Sequence, residues 1–376
     1  ERTSRAVPVR GDLLYSREGT YFGIAAEVPE RTRLCLGQRM VLIRPKSSEL
    51  DFRFLCHWLN SPIMASHIKG YRDGTVAERL NLPTIRALPV LVPPIREQNV
   101  IADILGKLND KVELNRQMSE TLDAIARALF CSWFVNFDPV RAKAEGRDPH
   151  LPRPLADLFP SSFEDSELGE IPTGWRLAPL PAIIDVNPTR VLRKGVEAPY
   201  IDMANMPTRG HSPEAVVTRA YGSGMRFMNG DTLVARITPC LENGKTAFVG
   251  CLNNGEIGWG STEYIVLRPK PPLPEEFAYC LARGTEFREF AIQSMTGSSG
   301  RQRVPADSLS HYFLACPPSD IAIAFGHLVK PLFQRCLAAS AEVRTLSALR
   351  DTLIGPLTSG KRRVALGAKS PSETND

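Results

Sequence analysis

The sequence predicts an α/β protein of the α+β type, in which two long antiparallel helices, forming a coiled-coil-like rod, separate two repeated mixed α/β domains. Three observations predict this fold. A long stretch of the chain occurs twice. Each copy opens with short β-rich segments bounded by Gly, Asn and Pro. Each copy also closes on a Pro-Pro pair, VPPIREQ (92–98) and CPPSDIA (316–322), after which apolar residues return every three or four positions.

The internal repeat is clearest between VLIRPKSSELDFRFLCHWL (41–59) and IVLRPKPPLPEEFAYCLAR (265–283), which align without a gap at an offset of 224 positions. Upstream, GDLL (11–14) matches GDTL (230–233) at an offset of 219, so the second copy carries a five-residue insertion. The offset of 224 also relates Arg44 to Arg268, Cys56 to Cys280, Arg79 to Arg303 and Pro93 to Pro317. So many matches in register predict the same architecture twice.

Within each copy the predicted elements follow one order. β-rich segments such as GDTLVARI, KTAFVGCL and TEYIVLRP come first. A short helix rich in aromatic residues follows, FRFLCHWLNSPIMASHI in one copy and EFAYCLARGTEFREFAIQ in the other. A Gly/Ser/Thr loop, a strand that runs into the Pro-Pro pair and a long helix complete the copy. This order predicts a compact mixed domain that continues into a helix.

The two long helices are predicted to begin at the Pro-Pro pairs, because proline is tolerated in the first helical turn. A helix from residue 95 to 134 would be about 60 Å long, and an apolar stripe of that length needs a partner. The helix of the other copy is the obvious partner, although each helix capping its own domain is an open alternative. The residues predicted to pair the helices are Ile101, Leu105, Leu108, Val112, Leu122, Ile125, Leu129 and Trp133 in the first helix and Leu328, Leu332, Val343, Leu346, Leu349 and Leu353 in the second.

The pattern divides the chain into six segments. Residues 136–174 hold six prolines without sustained periodicity, which predicts a linker. The residues that open the second domain, from 175 to about 220, have no counterpart ahead of Glu1, so we expect the first domain to be N-terminally incomplete. The predicted segments are a first mixed domain at 1–92, a first long helix at 93–135, the Pro-rich linker at 136–174, a second mixed domain at 175–316, a second long helix at 317–360 and a polar tail at 361–376.

Composition bounds the class of protein. The 376 residues are enough for about two ordinary domains. No run approaches the roughly 18 apolar residues of a membrane span, and no apolar signal core opens the chain, so we expect a cytoplasmic protein. The net charge of +5 permits nucleic-acid binding without demanding it. The eight cysteines form no C-x-x-C pair, which favours reduced core cysteines without a metal.

Five segments carry a resemblance to one known family. LPVLVPPIREQNVIADILGKLNDKVELNRQMSETLDAIARALFCSWFVNFDPV (88–140) is similar to the central spacer of that family, and ELGEIPTGWR (167–176) looks like the start of its target-recognition domain. NGDTLVARITPCLENGKTAFV (229–249), GWGSTEYIVLRP (258–269) and SMTGSSGRQRV (294–304) resemble segments inside such a domain. In these segments the chain resembles the specificity (S) subunits of type I restriction–modification enzymes. SDIAIAF departs from the pattern, because the Glu-Gln pair is missing after the second Pro-Pro.

The resemblance implies a DNA-recognition subunit that catalyses nothing. Each target-recognition domain would read half of a bipartite DNA target. The helix pair would set the gap between the halves and dock two modification (methyltransferase) subunits, which in turn recruit restriction (endonuclease/translocase) subunits. The implied partners are therefore double-stranded DNA and those subunits, without a membrane. No cofactor is implied for this chain, since S-adenosylmethionine, ATP and Mg are expected on the partner subunits.

Candidate DNA contacts are polar loop residues, because Arg and Lys reach phosphates while hydroxyl and amide groups reach base edges. The loop TGSSGRQR (296–303) is the strongest candidate, and a solvated hairpin loop is its alternative. Its counterpart is KGYRDGTVAER (69–79). For the lone His211 a structural role is the stronger interpretation. The candidates are Lys69, Tyr71, Arg72, Thr75, Arg79, Arg209, Arg236, Thr238, Lys245, Thr296, Ser298, Ser299, Arg301, Gln302 and Arg303.

Other functions fit the sequence less well. A methyltransferase would need a glycine-rich cofactor loop and an Asn-Pro-Pro-aromatic motif, and NPTR (187–190) fails at its third position. A nuclease would need clustered carboxylates with a lysine, and the hydrolase motif G-x-S-x-G is absent. A helical scaffold that reads no DNA is the main alternative, but it would not require a basic, polar loop at the same place in both copies.

Overall fold

The computed structural model of the chain describes residues 6–19, 22–31, 33–69, 79–167, 169–298 and 300–360. Its fold mixes helices and sheets, as predicted, and the chain divides into two compact units. Unit 1 comprises Glu1–Leu114 together with Glu342–Asp376, and unit 2 comprises Asn115–Ala341. Both unit boundaries fall inside the two long helices, so each long helix contributes one segment to each unit.

Helices and strands are numbered along the chain. The helices are α1 (Phe52–Leu59), α2 (Pro62–Lys69), α3 (Leu82–Arg86), α4 (Ile95–Phe134), α5 (Asp138–Ala144), α6 (Arg153–Ala156), α7 (Leu180–Ile183), α8 (Glu276–Arg283), α9 (Thr285–Gln293) and α10 (Ser319–Thr358). The strands are β1 (Leu13–Ser16), β2 (Ala25–Glu27), β3 (Met40–Ile43), β4 (Phe163–Ser166), β5 (Gly169–Pro172), β6 (Arg176–Pro179), β7 (Ile184–Val186), β8 (Glu197–Ile201), β9 (Val217–Ala220), β10 (Met225–Phe227), β11 (Thr232–Ala235), β12 (Thr246–Phe248), β13 (Gly258–Gly260), β14 (Tyr264–Pro269) and β15 (Phe313–Cys316). None of the helices in the described part of the chain is long and apolar enough to span a membrane.

Unit 1 is built on the antiparallel sheet β2-β1-β3. Leu13 and Tyr15 of β1 are fully buried on one face, because alternate residues of a strand point to the same side. They share a core with Trp58 of α1. Asp51 begins this helix by accepting hydrogen bonds from its first backbone N–H groups. Sheet and helix therefore enclose one apolar core.

Gln98, in the first turn of α4, explains the polar end of the VPPIREQ motif. Its fully buried amide oxygen accepts a hydrogen bond from the Asp51 N–H at 2.8 Å. Its amide nitrogen donates to the carbonyls of Glu49 and Pro93 at 2.9 and 2.7 Å. These bonds fix the start of the long helix to the loop that caps α1. The equivalent position of the second copy holds Ala322, so α10 begins without this clamp.

The structure contains the repeat strand by strand. In unit 2 the sheet β12-β11-β14-β7 holds the counterparts of β2-β1-β3, with the same antiparallel pairing. A buried aspartate precedes the central strand in both units: Asp12 is bound to Arg44, and Asp231 is bound to Arg268. The equivalent cross-strand pairs are Leu13–Ile43 in unit 1 and Thr232–Leu267 in unit 2. The repeated sequence pattern therefore folds into the same framework of strands in both units.

Unit 2 contains a second four-stranded sheet, β10-β13-β8-β9, and the two-stranded sheets β15-β6 and β4-β5. Ile201 of β8 and Phe227 of β10 are fully buried and share a core with Leu233 and Val266 of the repeated sheet. One face of the second sheet is thus the inner, apolar face. Strands β8 to β10 precede Gly230, where the repeated segment of unit 2 begins.

The long helices have the predicted length. α4 and α10 each span 40 residues, and their bounds are related by the repeat offset of 224. In unit 1, Lys111 Nζ lies 3.6 Å from a carboxylate oxygen of Glu342. Nearer the start of α4, Leu105 shares a buried cluster with Leu357, near the end of α10. The two segments in unit 1 are therefore antiparallel, as predicted.

The segments of the long helices in unit 2 are also antiparallel. The Cys336 thiol contacts the backbone carbonyl of Ser119 at 3.5 Å. Farther along α4, the ring of Phe134 packs edge-on against Phe325, near the start of α10, at a centroid distance of 4.9 Å. As position along α4 increases, the contacted position along α10 decreases, as expected for antiparallel helices.

The buried face of the long helices differs in part from the predicted seam. The predicted residues that are buried are Ile101, Leu105, Val112 and Trp133. The half-buried ones are Leu108, Leu122, Leu129, Leu332, Val343, Leu346 and Leu353. Ile125, Leu328 and Leu349 are 49%, 38% and 44% exposed, so the prediction that these three residues pair the helices is wrong.

A shift of one residue in unit 2 accounts for two of these errors. Ala126 and Val329 are fully buried beside the exposed Ile125 and Leu328. The shift follows from packing against the domain core, since Phe130, one turn after Ala126, contacts Phe277 of α8 at a centroid distance of 5.0 Å. Aromatic residues that reach this core, rather than the largest aliphatic residues, set the buried face.

Residues 136–167 and 169–174 are folded, which corrects the prediction of a linker at 136–174. The segment contains α5, α6 and the β4-β5 hairpin. Phe137, Phe159 and Ile171 are buried in the main core of unit 2. Prolines lie in the first turns of both short helices, where the missing N–H costs no hydrogen bond. These prolines therefore mark helix starts rather than an extended chain.

Candidate nucleic-acid interface

The loop at 296–303 is a closed hairpin with an exposed tip. The backbones of Thr296 and Arg303 exchange two hydrogen bonds of 2.9 Å, and the Arg301 N–H donates to the Ser298 carbonyl at 3.0 Å. Gly297 adopts a φ of +118°, which favours glycine. Thr296, Ser298 and Arg301 are exposed, whereas Ser299 lies outside the described residues. The tip therefore presents hydroxyl groups and one guanidinium group to solvent.

Glu263 binds two of the arginines predicted to contact DNA. Arg303 forms a salt bridge with this carboxylate at 2.9 Å, and Arg236 lies 3.6 Å from it. A guanidinium group paired with a carboxylate has less charge to offer a phosphate. Both arginines thus fix the base of the loop, and their contact with DNA stays a prediction.

Two other candidates connect loops within unit 2. The Thr238 N–H donates to the Gln302 carbonyl at 3.1 Å, so the segment after β11 is joined to the hairpin loop. Lys245 Nζ donates to the Met203 carbonyl at 2.7 Å. The structure therefore brings Arg236, Thr238, Gln302 and Arg303 together, whereas Lys245 contacts a different segment.

Arg283, at the end of α8, organises the loop that carries Arg209. Its guanidinium group donates to the carbonyls of Thr208, Gly244 and Thr246 at 2.8, 2.9 and 2.8 Å. It also donates to the carbonyls of Pro207 and Gly210. Arg209 itself is exposed between these anchored residues. Sequence reasoning missed Arg283, and the available signal was a cation ending the apolar helix EFAYCLAR.

His211 has the structural role that the sequence favoured. It is 2% exposed and packs against Phe333 of α10 at a centroid distance of 5.5 Å. A ring nitrogen lies 2.9 Å from the Ser212 hydroxyl oxygen, and this hydroxyl also accepts a hydrogen bond from Ser340 of α10 at 3.2 Å. Burial lowers the pKa of His211 to about 4.

Acidification from pH 7 to pH 5 is expected to destabilise unit 2 through His211. Its folded-state pKa of about 4 lies below the ordinary value of 6.5, so its contribution is complete above pH 6.5 and is lost as the pH falls toward 4. At pH 5 the loss is about 2 kcal/mol. Urea unfolding at both pH values should show a smaller acid loss in His211→Gln than in the wild type.

The exposed His327 provides the control for this pH effect. A His327→Gln variant should keep the acid sensitivity of the wild type. Asp123 and Arg283 also lie near His211, and neither variant changes them. Equal acid loss in His211→Gln and the wild type would show that another group carries the effect.

The unit 1 candidates are only partly described. Lys69 is exposed at the end of α2, and Arg79 is exposed. The backbone of Arg79 bridges Glu18, as that of Arg303 bridges Ile237 at the equivalent position of unit 2. Tyr71, Arg72 and Thr75 lie outside the described residues. In the described ranges of both units, His, Cys, Asp and Glu side chains form no group of three or more that could hold a metal ion.

Comparisons with known proteins agree on one family. The family model for the type I restriction modification DNA specificity domain matches residues 4–124. The specificity subunit of the type I restriction enzyme HindI from Haemophilus influenzae is 23% identical over 94% of this chain and 86% of its own length. The MjaIX specificity subunit from Methanocaldococcus jannaschii is 22% identical over 97% of this chain and 80% of its own length.

A further relative and a solved structure add to the comparison. The EcoAI specificity subunit from Escherichia coli is 30% identical over 53% of this chain and 36% of its own length. In fold, the chain is similar to the crystal structure of a type I restriction-modification S subunit from M. genitalium. The TM-score is 0.54 at 15% identity, covering 93% of this chain and 83% of the other.

Proposed function

We propose that the chain is a specificity subunit of a type I restriction–modification enzyme, a non-catalytic subunit that recognises DNA. From this premise we propose how recognition is divided: each unit reads one half of a bipartite DNA target. The helix pair would set the gap between the halves. The observation that carries the proposal is the repeated framework, in which the same sheet register occurs in both units and each copy of the repeat continues into a 40-residue helix.

The repeated framework supports two readers rather than one. A reader of a continuous target needs one domain, whereas two domains of like construction can each contact a separate stretch of DNA. The exposed hairpin tip of unit 2, with Arg301 and Ser298, offers donors for base edges and phosphates. Each long helix contributes a segment to both units, and its length is the feature that would set the gap.

The partners of the chain follow from its role in the family. We infer that it binds double-stranded DNA and assembles with two modification subunits, which recruit restriction subunits. S-adenosylmethionine, ATP and Mg would then act on those subunits and not on this chain. A helical scaffold that reads no DNA would assemble equally well, but the relatives are DNA specificity subunits, which disfavours it.

Mapping methylated bases tests the proposal. The chain is co-produced with its cognate modification subunit, and methylation is read across a genome by single-molecule sequencing. The expected motif has two specific halves and a gap of fixed length. Arg301→Ala is expected to weaken or relax one half and to leave the other half unchanged. Arg301 is preferred to Arg303, which anchors the loop through Glu263.

Arg153→Ala is the matched control, because Arg153 has a 93% exposed side chain outside the hairpin loop. It should leave the motif unchanged. A continuous motif would contradict the bipartite proposal. A stable complex that neither binds duplex DNA nor directs methylation would instead favour the scaffold.

A further inference from the structure

The second sheet of unit 2 has an outer face on which none of the DNA contacts predicted from the sequence lies. One row of residues crosses all four strands in register: Arg226 on β10, Trp259 on β13, Tyr200 on β8 and Val217 on β9. Neighbouring residues on each strand point the opposite way. The row therefore lies on the face opposite the buried core residues Ile201 and Phe227. We call this side, including Arg219, the outer face.

Arg219 is held on the outer face by aromatic rings. Its guanidinium group lies 4.7 Å from the centroid of the Tyr200 ring, close enough for a cation–π contact. Tyr200 in turn packs against Trp259 at 4.5 Å. The indole N–H of Trp259 donates to the Arg219 carbonyl at 3.2 Å. The backbone and side chain of Arg219 are thus both fixed before any ligand arrives.

The outer face carries positive charge without acidic residues. Of the residues that point outward from β8, β9, β10 and β13, two are arginines and none is Asp or Glu. Within the described ranges, no carboxylate forms a salt bridge with Arg219 or Arg226. Arg236 and Arg303 differ, since Glu263 binds both. The cations of the outer face are therefore available to an anionic partner.

The segments of the chain next to this sheet add further positive charge. Residues 187–226, which include β8 and β9, hold six Arg or Lys and three Asp or Glu. Arg193 and Lys194 are exposed in the loop before β8, and all four residues of β9 are exposed. A polyanion fits such a surface, because fixed guanidinium forks bind phosphates.

We propose that the outer face is a DNA-contact surface of unit 2, on which Arg219 and Arg226 bind backbone phosphates. Tyr200 and Trp259 hold the first of these arginines in position. The inference rests on the proposed function and deepens it, because it assigns DNA contacts to a sheet face that is separate from the hairpin loop at 296–303. The ligand is duplex DNA, which the outer face binds through the negative charge of its phosphates.

The test uses the complete complex with the modification subunit and a labelled duplex containing the methylated motif. Fluorescence anisotropy is measured over a range of salt concentrations for the wild type and the double variant Arg219→Gln, Arg226→Gln. We expect binding at least tenfold weaker, from the loss of two charge-assisted contacts. The slope of log affinity against log salt should also fall by about 1.8, from the loss of two phosphate contacts.

Two further variants make the result specific. Arg176→Gln removes an exposed arginine from β6 and should change neither affinity nor slope. Tyr200→Leu removes the ring under Arg219 but no charge, so it should weaken binding and leave most of the slope intact. Equal melting temperatures of the variants and the wild type confirm that each protein is folded.

The outcomes separate the inference from the function on which it rests. Wild-type affinity and slope in the double variant would overturn the inference and leave the DNA-recognition role standing. Failure of the wild-type complex to bind the duplex would overturn both. Loss of assembly with unchanged DNA affinity would assign the outer face to a protein partner and overturn the inference.

Discussion

Replacing Asp231 by alanine is expected to lower the free energy of unfolding of unit 2 by about 3–5 kcal/mol, because it removes the carboxylate bound to the buried Arg190 and one of the two carboxylates bound to Arg268. Asp231 is fully buried. It binds Arg190 with oxygen–nitrogen distances down to 2.6 Å and Arg268 at 2.8 Å, and both arginine side chains are less than one-fifth exposed. Its carboxylate also accepts a hydrogen bond from the Met228 N–H at 2.8 Å. Urea unfolding, followed by tryptophan fluorescence, measures the change.

Asp12→Ala is the matched control, because Asp12 is the counterpart of Asp231 in the repeat. Arg44, the counterpart of Arg268, donates to Asp12 at 2.6 and 2.7 Å, and this hydrogen bonding lowers the pKa of Asp12. The Arg44 side chain is 56% exposed, however, and can return to water when its partner is removed. We expect a loss of about 1–2 kcal/mol. Equal losses for the two variants would refute the argument that burial of the arginines sets the cost.

The second large effect is expected from Arg283→Met, which should destabilise unit 2 by about 3 kcal/mol, since several backbone carbonyls lose their donor. The loop that carries Arg209 and the segment around Gly244 would lose their common anchor. Compared with the wild type, hydrogen exchange should therefore become faster in residues 206–212, whereas exchange in β11 should change less. Affinity for the duplex should fall with it, because the loop is no longer held in one conformation.

Arg288→Met provides the comparison, because Arg288 lies on the next helix and forms none of these hydrogen bonds. Its stability should change by less than about 0.5 kcal/mol. Exchange in the loop should match that of the wild type. If Arg283→Met exchanged no faster in this loop than Arg288→Met, Arg283 would not be its anchor.

Periodic and repeated features were predictable from the sequence alone. The offset of 224 predicted two copies of one framework, and the Pro-Pro pairs predicted the starts of α4 and α10 to within two residues. Such features are local, because helix starts and apolar spacing depend on residues that are close along the chain. The resemblance to type I specificity subunits was also visible in the sequence, since the resembling segments extend over much of the chain.

The candidate DNA contacts could be predicted from the sequence only in part. Exposed Arg301 and Ser298 were predictable, since a Gly/Ser loop between apolar elements is normally at the surface. The outer face was not predictable, because its row joins residues from four strands separated by up to 59 positions, from Tyr200 to Trp259. Register between distant strands comes from pairing in the folded sheet, and no spacing along the chain reveals it.

The sequence by itself determined the repeated framework, the length of the helices and the resemblance to type I specificity subunits. Only the tertiary structure decided which helix face is buried, since contacts with Phe277 select Ala126 over Ile125. It also decided that residues 136–167 and 169–174 are folded as part of unit 2, and that Glu263 binds Arg236 and Arg303 while Arg219 has no carboxylate partner in the described residues. The physical reason is range: propensity and periodicity act between neighbours, whereas burial and charge pairing depend on residues that only folding brings together.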